Sequence, residues 1–132
     1  MAPPFDQLDY IYTPSRDVES DVRYFRDVLG GHLVFAIEAM GGRVAMIELS
    51  SAGPRIVLAD HLEGEQPILV YRVASLDQAV AELESRGWQS DRALEIPQGP
   101  CRSFTGSGGH RLAIYERSRP TVEASFEGRR DF

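Results

Sequence analysis

A chain of 132 residues with 42% hydrophobic content is long enough for one compact domain and too short for several. No apolar run reaches the roughly 18 residues that a membrane-spanning helix needs, and the opening MAPPFDQ has no basic stretch before an apolar one, so we expect a cytoplasmic protein with no membrane partner. The net charge of −6 argues against nucleic acid as a partner, and the single cysteine, Cys101, excludes a disulfide within the chain.

The first half of the chain reads as a strand, a helix and three strands. The strand is predicted at 8–13, where apolar and polar residues alternate. Asp17 is a suitable N-cap for the helix, and Gly30-Gly31 ends it. Three strands follow at 32–39, 43–49 and 54–60, separated by glycine-rich turns. The helix should bury one apolar stripe, formed by Val18, Val22, Phe25 and Leu29.

The same order then restarts. A strand at 68–74 leads to a capping box, Ser75 with Gln78, and to a helix that ends at Gly87. Strands are predicted at 88–95, 99–105 and 110–116. The fold class is therefore α+β, with two βαβββ modules, 7–61 and 67–117, in one domain, 1–120, followed by a C-terminal tail, 121–132.

Each predicted module leaves one sheet face open, because a single helix covers only the other face. Two such faces together would form a cup-shaped cleft, and a concave, half-apolar cleft is a default ligand site. Strand alternation also places Val44, Arg55, Ala59 and Val70 on these faces. The predicted site residues are Tyr10, Tyr12, Met46, Glu48, Val57, Ile68, Arg72, Cys101, Ser103, Arg111, Ala113 and Tyr115.

This lining is apolar and aromatic with a few charges. Aromatic faces suit a flat or cationic ligand, whereas Arg72 or Arg111 could hold a carboxylate in bidentate geometry. The alternative is that Glu48 pairs with one of these two arginines inside the protein. Cys101 has no histidine beside it in the predicted register, which favours a small buried residue over a nucleophile.

Two stretches resemble a known superfamily. The opening LDYIYTPSRDVESDVRYFRDVLGG and the closing hairpin GPCRSFTGSGGHRLAIYER are similar to the vicinal oxygen chelate superfamily, which includes glyoxalase I, bleomycin resistance proteins and extradiol dioxygenases. The resemblance implies two βαβββ modules around a cup-shaped cleft, and it implies a homodimer. Whether one chain or two complete the cleft is left open.

The resemblance also implies where metal-using members hold a divalent ion. The matching positions here are Tyr10, Val57, Ile68 and Ala113. Three aliphatic side chains and a phenol do not supply the imidazoles and carboxylates that such an ion needs, so no metal and no cofactor are expected. A loop site at Asp60 and His61 is the remaining alternative.

The sequence thus favours a metal-free protein that binds a small, partly aromatic or charged molecule, as in drug or metabolite sequestration. The alternative is an enzyme of the superfamily. It would be a metal-dependent lyase, transferase or dioxygenase with an altered ligand set, or a metal-free enzyme in which Tyr10, Glu48 or Tyr115 moves a proton. No catalytic residue is assigned.

Overall fold

The chain divides into two units in the computed structural model, which describes residues 4–39 and 41–132. The first unit contains Tyr10–Pro67 and Glu123–Phe132, and the second contains Ile68–Val122 with the chain up to Asp9. Strand β1 (Gln7–Pro14) therefore contributes residues 10–14 to the first unit and residues 7–9 to the second.

The first unit is built on a mixed sheet in the order β2-β3-β4-β1, where β1 runs parallel to β4 and the other neighbours are antiparallel. Asp17 caps the helix as predicted, since its carboxylate accepts the amide of Ser20 at 3.0 Å. After β1 come helix α1 (Val18–Arg23), a π-helical turn (Tyr24–Val28), β2 (His32–Ala39), β3 (Gly42–Glu48) and β4 (Arg55–Ala59).

Helix α1 is shorter than the sequence predicted. Val18 and Val22 are buried as expected. After Arg23 the backbone changes to the π-helical turn, in which the amide of Leu29 donates to the carbonyl of Tyr24 at 3.1 Å, five residues earlier. The extra residue in this turn rotates the following side chains, so Leu29 is 47% exposed and does not belong to the buried stripe.

The second unit repeats the plan with a sheet in the order β5-β8-β7-β6, where β5 runs parallel to β8 and the other neighbours are antiparallel. Ser75 caps the helix, and its hydroxyl accepts the amide of Gln78 at 3.3 Å. The elements are β5 (Ile68–Val73), helix α2 (Leu76–Glu84), β6 (Arg92–Ile96), β7 (Gly99–Thr105) and β8 (Arg111–Glu116).

Strand β6 begins later than predicted, at Arg92 instead of residue 88. Trp88 packs edge-on against Phe104, with ring centroids 5.3 Å apart, within the apolar cluster under α2. Its amide donates to the carbonyl of Leu83 at 3.1 Å. The indole therefore keeps this stretch at the end of the helix, and the chain joins the sheet only afterwards.

In each unit the helix covers one face of the sheet with a buried apolar cluster. In the first unit this cluster is Val18, Val22, Ala36, Ala45, Ile47 and Leu58. In the second it is Val73, Leu76, Ala79, Val80, Leu83 and Ile114. The predicted α+β fold of two βαβββ modules is confirmed. Among the residues that the structure describes, no helix has the length and apolar character to span a bilayer.

Candidate functional site

The face of the first sheet opposite α1 carries the first group of predicted site residues. The register pairs Tyr10 with Arg55 and sets both Tyr12 and Met46 beside Val57, so these five side chains form one row across three strands. Tyr10, Met46 and Val57 are almost completely buried, with 4%, 1% and 3% of their surface exposed. The row therefore offers an apolar wall with two phenols and one guanidinium.

A charged cluster lies at the end of this row, and we call Tyr10, Glu48, Arg55 and Glu123 the Arg55 cluster. The guanidinium of Arg55 contacts Glu48 through Nη2 at 2.9 Å and Glu123 through Nη1 at 3.1 Å. The hydroxyl of Tyr10 donates a hydrogen bond to Glu123. Two carboxylates share one guanidinium here, so the cluster has a formal charge of −1.

The predicted partner of Glu48 is wrong: it pairs with Arg55, not with Arg72 or Arg111. The sequence placed Arg55 on this face but did not include it in the site. The signal was present in the hairpin register, because the pairing of Met46 with Val57 sets Glu48 opposite Arg55 two positions further along.

Glu123 reaches the cluster from the C-terminal tail, where helix α3 (Val122–Phe126) begins. The ring of Phe126 packs against Phe35 of β2, with centroids 5.6 Å apart. Glu123 and Phe126 are three residues apart and so share one side of this single helical turn. That side lies on the open face of the first sheet, beside the row that begins at Tyr10.

After α3 the tail follows the edge of β2. The amide of Gly128 donates to the carbonyl of Val34 at 2.8 Å, and the amide of Ala36 donates to the carbonyl of Arg129 at 2.9 Å. Phe132 then packs against the apolar cluster on the helix side, with the guanidinium of Arg43 4.7 Å from its ring centroid. Two apolar side chains of the tail, Phe126 and Phe132, thus pack within the first unit.

The open face of the second sheet carries the other predicted residues. The register pairs Val70 and Ser103 with Ala113, and Arg72 and Cys101 with Tyr115. Val70, Cys101, Ala113 and Tyr115 are buried, whereas the remaining predicted residues, Ile68, Arg72, Ser103 and Arg111, are half-buried. This face is apolar with a few half-buried polar groups.

Asp9 organises the polar groups of this second face. Its carboxylate accepts a hydrogen bond from the hydroxyl of Tyr115, and Nε of Arg72 lies 3.5 Å from its Oδ2. Tyr115 is completely buried, and the side chain of Asp9 is only 9% exposed. Arg72 is therefore paired with Asp9, a residue that the sequence did not connect with the site.

Solved structures share this architecture. The chain matches methylmalonyl-CoA epimerase from Mycobacterium tuberculosis with a TM-score of 0.74 and 19% identity, over 92% of this chain and 95% of that one. A methylmalonyl-CoA epimerase in complex with methylmalonyl-CoA and NH4+ matches with a TM-score of 0.70 and 15% identity, over 87% and 96% of the two chains. No protein-family model and no curated protein matches by sequence.

The chain has the vicinal oxygen chelate fold. The resemblance predicted from the opening helix and the closing hairpin is confirmed at this level.

The residues at the positions where the superfamily resemblance implies a metal do not fit a divalent ion. Val57 and Ala113 are buried aliphatic side chains, and Ile68 is half-buried. At Tyr10, the fourth position, the nearby carboxylate of Glu123 is already bound by the phenol and by a guanidinium. Within residues 4–39 and 41–132 no group of three or more His, Cys, Asp or Glu side chains is placed to hold a metal.

At the alternative loop site of Asp60 and His61, Asp60 is engaged in a protein contact. Oδ1 of Asp60 accepts the amide of Arg43 at 3.0 Å, and so caps the start of the β3–β4 pairing. Both Asp60 and His61 are exposed. This carboxylate has a structural role in the hairpin.

Cys101 is expected to be unreactive in the folded protein. Burial, with a smaller contribution from Glu95, raises the pKa of its thiol to about 12. Because the thiolate is the reactive form, alkylation by iodoacetamide at pH 8 should proceed only as fast as the protein unfolds, and in urea it should be complete within minutes. Rapid labelling of the native protein, followed by mass spectrometry, would contradict this burial.

Proposed function

We propose that the protein binds a small organic anion, a carboxylate with an apolar or aromatic part, on the open face of the first unit without a divalent ion. The observation that carries this proposal is the fork of Arg55, with Tyr10 beside it. A guanidinium next to a phenol binds a carboxylate in a fixed orientation. The contacts of both residues with Glu123 support this choice, because they are contacts with a carboxylate.

The surroundings of Arg55 support an apolar partner for the rest of the ligand. Phe35, Met46 and Val57 form a buried wall on the same face, and the ring of Phe126 packs against Phe35, so a ring or an alkyl chain that replaced Phe126 would find apolar contacts there. The overall charge of −6 repels an anion only weakly at long range, since physiological salt screens charges that are more than about 8 Å apart. At contact range the guanidinium of Arg55 favours a negatively charged group on the ligand.

An enzymatic function is the second candidate, because the solved relatives named above are methylmalonyl-CoA epimerases. A metal-free version would need a carboxylate that accepts a proton, and Glu48 and Glu123 are both engaged with Arg55. Incubation with methylmalonyl-CoA in D2O separates the candidates. A binding protein leaves the hydrogen beside the two carbonyls unexchanged, whereas an epimerase replaces it with deuterium at a rate proportional to enzyme concentration.

The binding proposal is tested by melting curves and calorimetry on the metal-stripped protein. We expect benzoate and methylmalonyl-CoA, as two carboxylates of different size, to raise the melting temperature, because a ligand that binds only the folded state stabilises it. The increase should be the same in EDTA and in Mg²⁺, Mn²⁺ or Zn²⁺. Binding that requires one of these ions would overturn the proposal.

We also propose, from the sequence, that the protein forms a homodimer and is cytoplasmic. Exposed apolar side chains in the first unit support association with a second copy: Tyr24, Val28, Leu29 and Leu49.

A further inference from the structure

We infer that the C-terminal tail of the first unit, residues 123–132, is an internal competitor for the proposed ligand, with the carboxylate of Glu123 in the place of the ligand's carboxylate. This inference rests on the proposed function and adds to it a mechanism of access. The ligand binds when α3 leaves the open face, and the protein without ligand keeps the site closed with its own side chain.

Charge matching supports the exchange. Glu123 is 16% exposed and holds both Tyr10 and Arg55. A ligand carboxylate that takes its place leaves the formal charge around Arg55 at −1, because Glu48 remains on the other side of the guanidinium. An uncharged ligand would leave Arg55 with one partner fewer, so the exchange selects carboxylates.

The tail has a strongly held part and a weakly held part. Its end is fixed along β2 by backbone hydrogen bonds that include Gly128 and Asp131, and by the packing of Phe132. The preceding turn, α3, contacts the sheet through Glu123 and Phe126, while Ala124 is exposed. Because a helix of five residues is not stable in water on its own, α3 depends on its tertiary contacts, and those of Glu123 and Phe126 are among them.

A pivot separates the two parts. Gly128 has a φ of +79°, a left-handed conformation that favours glycine. Its amide donates the first hydrogen bond of the strand-like end, to the carbonyl of Val34. Rotation of the backbone before Gly128 would break the hydrogen bond from the amide of Arg129 to the carbonyl of Phe126 and lift α3, while the end stays paired with β2. Local opening of this kind involves elements with few contacts, as α3 has.

Binding of benzoate, with benzamide as its uncharged counterpart, tests the inference on the full chain. The Glu123→Gln variant keeps the size of the side chain but removes its charge, and we expect its benzoate dissociation constant to fall about tenfold because the open state becomes more populated. Phe126→Ala should act in the same direction through the other contact. The control is Glu127→Gln, an exposed carboxylate of the same tail, which should bind benzoate like the unmodified protein.

Hydrogen exchange supplies a readout independent of affinity. Saturating benzoate should speed exchange at residues 123–127 and leave the β2-paired amides of 128–131 protected, whereas benzamide should change neither. Equal benzoate affinity in the unmodified protein and Glu123→Gln would overturn the competitor role while the binding proposal stands. Weaker benzoate binding by Glu123→Gln would mean that Glu123 contacts the ligand, and it would also overturn the competitor role. Failure of every variant to bind benzoate would overturn both proposals.

Discussion

Replacing Arg55 with methionine is expected to weaken benzoate binding about thirtyfold, since the substitution removes the guanidinium that binds the carboxylate. The same change leaves Glu48 and Glu123 facing each other without the cation between them. The side chain of Arg55 is 35% exposed, so water screens part of this repulsion, and we expect a loss of about 2 kcal/mol in the free energy of unfolding. Calorimetry and urea denaturation measure the two effects.

Arg16→Met is the matched control in the same unit. Arg16 contacts Glu65 at 3.1 Å, but the two side chains are 92% and 85% exposed, so its removal should change the free energy of unfolding by no more than about 0.5 kcal/mol. Benzoate binding should be unaffected. If Arg55→Met bound benzoate like the unmodified protein, the carboxylate site would have to lie elsewhere.

Gly99→Ala is expected to be the most destabilising single-methyl change in β7, with a loss above about 3 kcal/mol. A Cβ atom at Gly99 would lie 1.9 Å from the carbonyl oxygen of Glu116 and 2.9 Å from Oγ of Ser118. The first contact is with backbone, so a rotamer change does not relieve it. Relief would require the ends of β7 and β8 to separate, beside the buried pair of Cys101 and Tyr115.

Gly106→Ala is the control for this substitution, since its added methyl would meet the carbonyl of His110 at 3.8 Å, an ordinary contact. Urea denaturation followed by circular dichroism compares the two variants. A Gly99→Ala protein as stable as Gly106→Ala would show that the two strand ends are further apart than described.

The strands were predictable because the sequence signals there are local. Alternation bounded by glycine gave β2 at 32–39 and β7 at 99–105, and the caps at Asp17 and Ser75 marked both helix starts. The errors arose where tertiary packing decides the backbone. The π-helical turn after Arg23 and the late start of β6 after Trp88 depend on which side chains the core accepts.

The candidate site was predictable only in part, for a related reason. Alternation identified Tyr10, Glu48 and Val57 as neighbours on one face, since strand pairing fixes that relation. Glu123 is separated from Tyr10 by 113 positions, and no periodicity connects a short tail to a strand so far away. Asp9 was missed on the second face because alternation along β1 sets it on the side opposite Tyr10, whereas its contacts are with Arg72 and Tyr115 of the second unit.

The position of Trp88 gives the protein a built-in optical reporter. It is the single tryptophan of the chain, and its indole lies against Phe104 in the core of the second unit. Emission excited at 295 nm therefore follows the melting of that unit alone, while far-ultraviolet dichroism records both. A gap between the two curves would reveal a stage at which one half of the chain has lost its structure and the other has not.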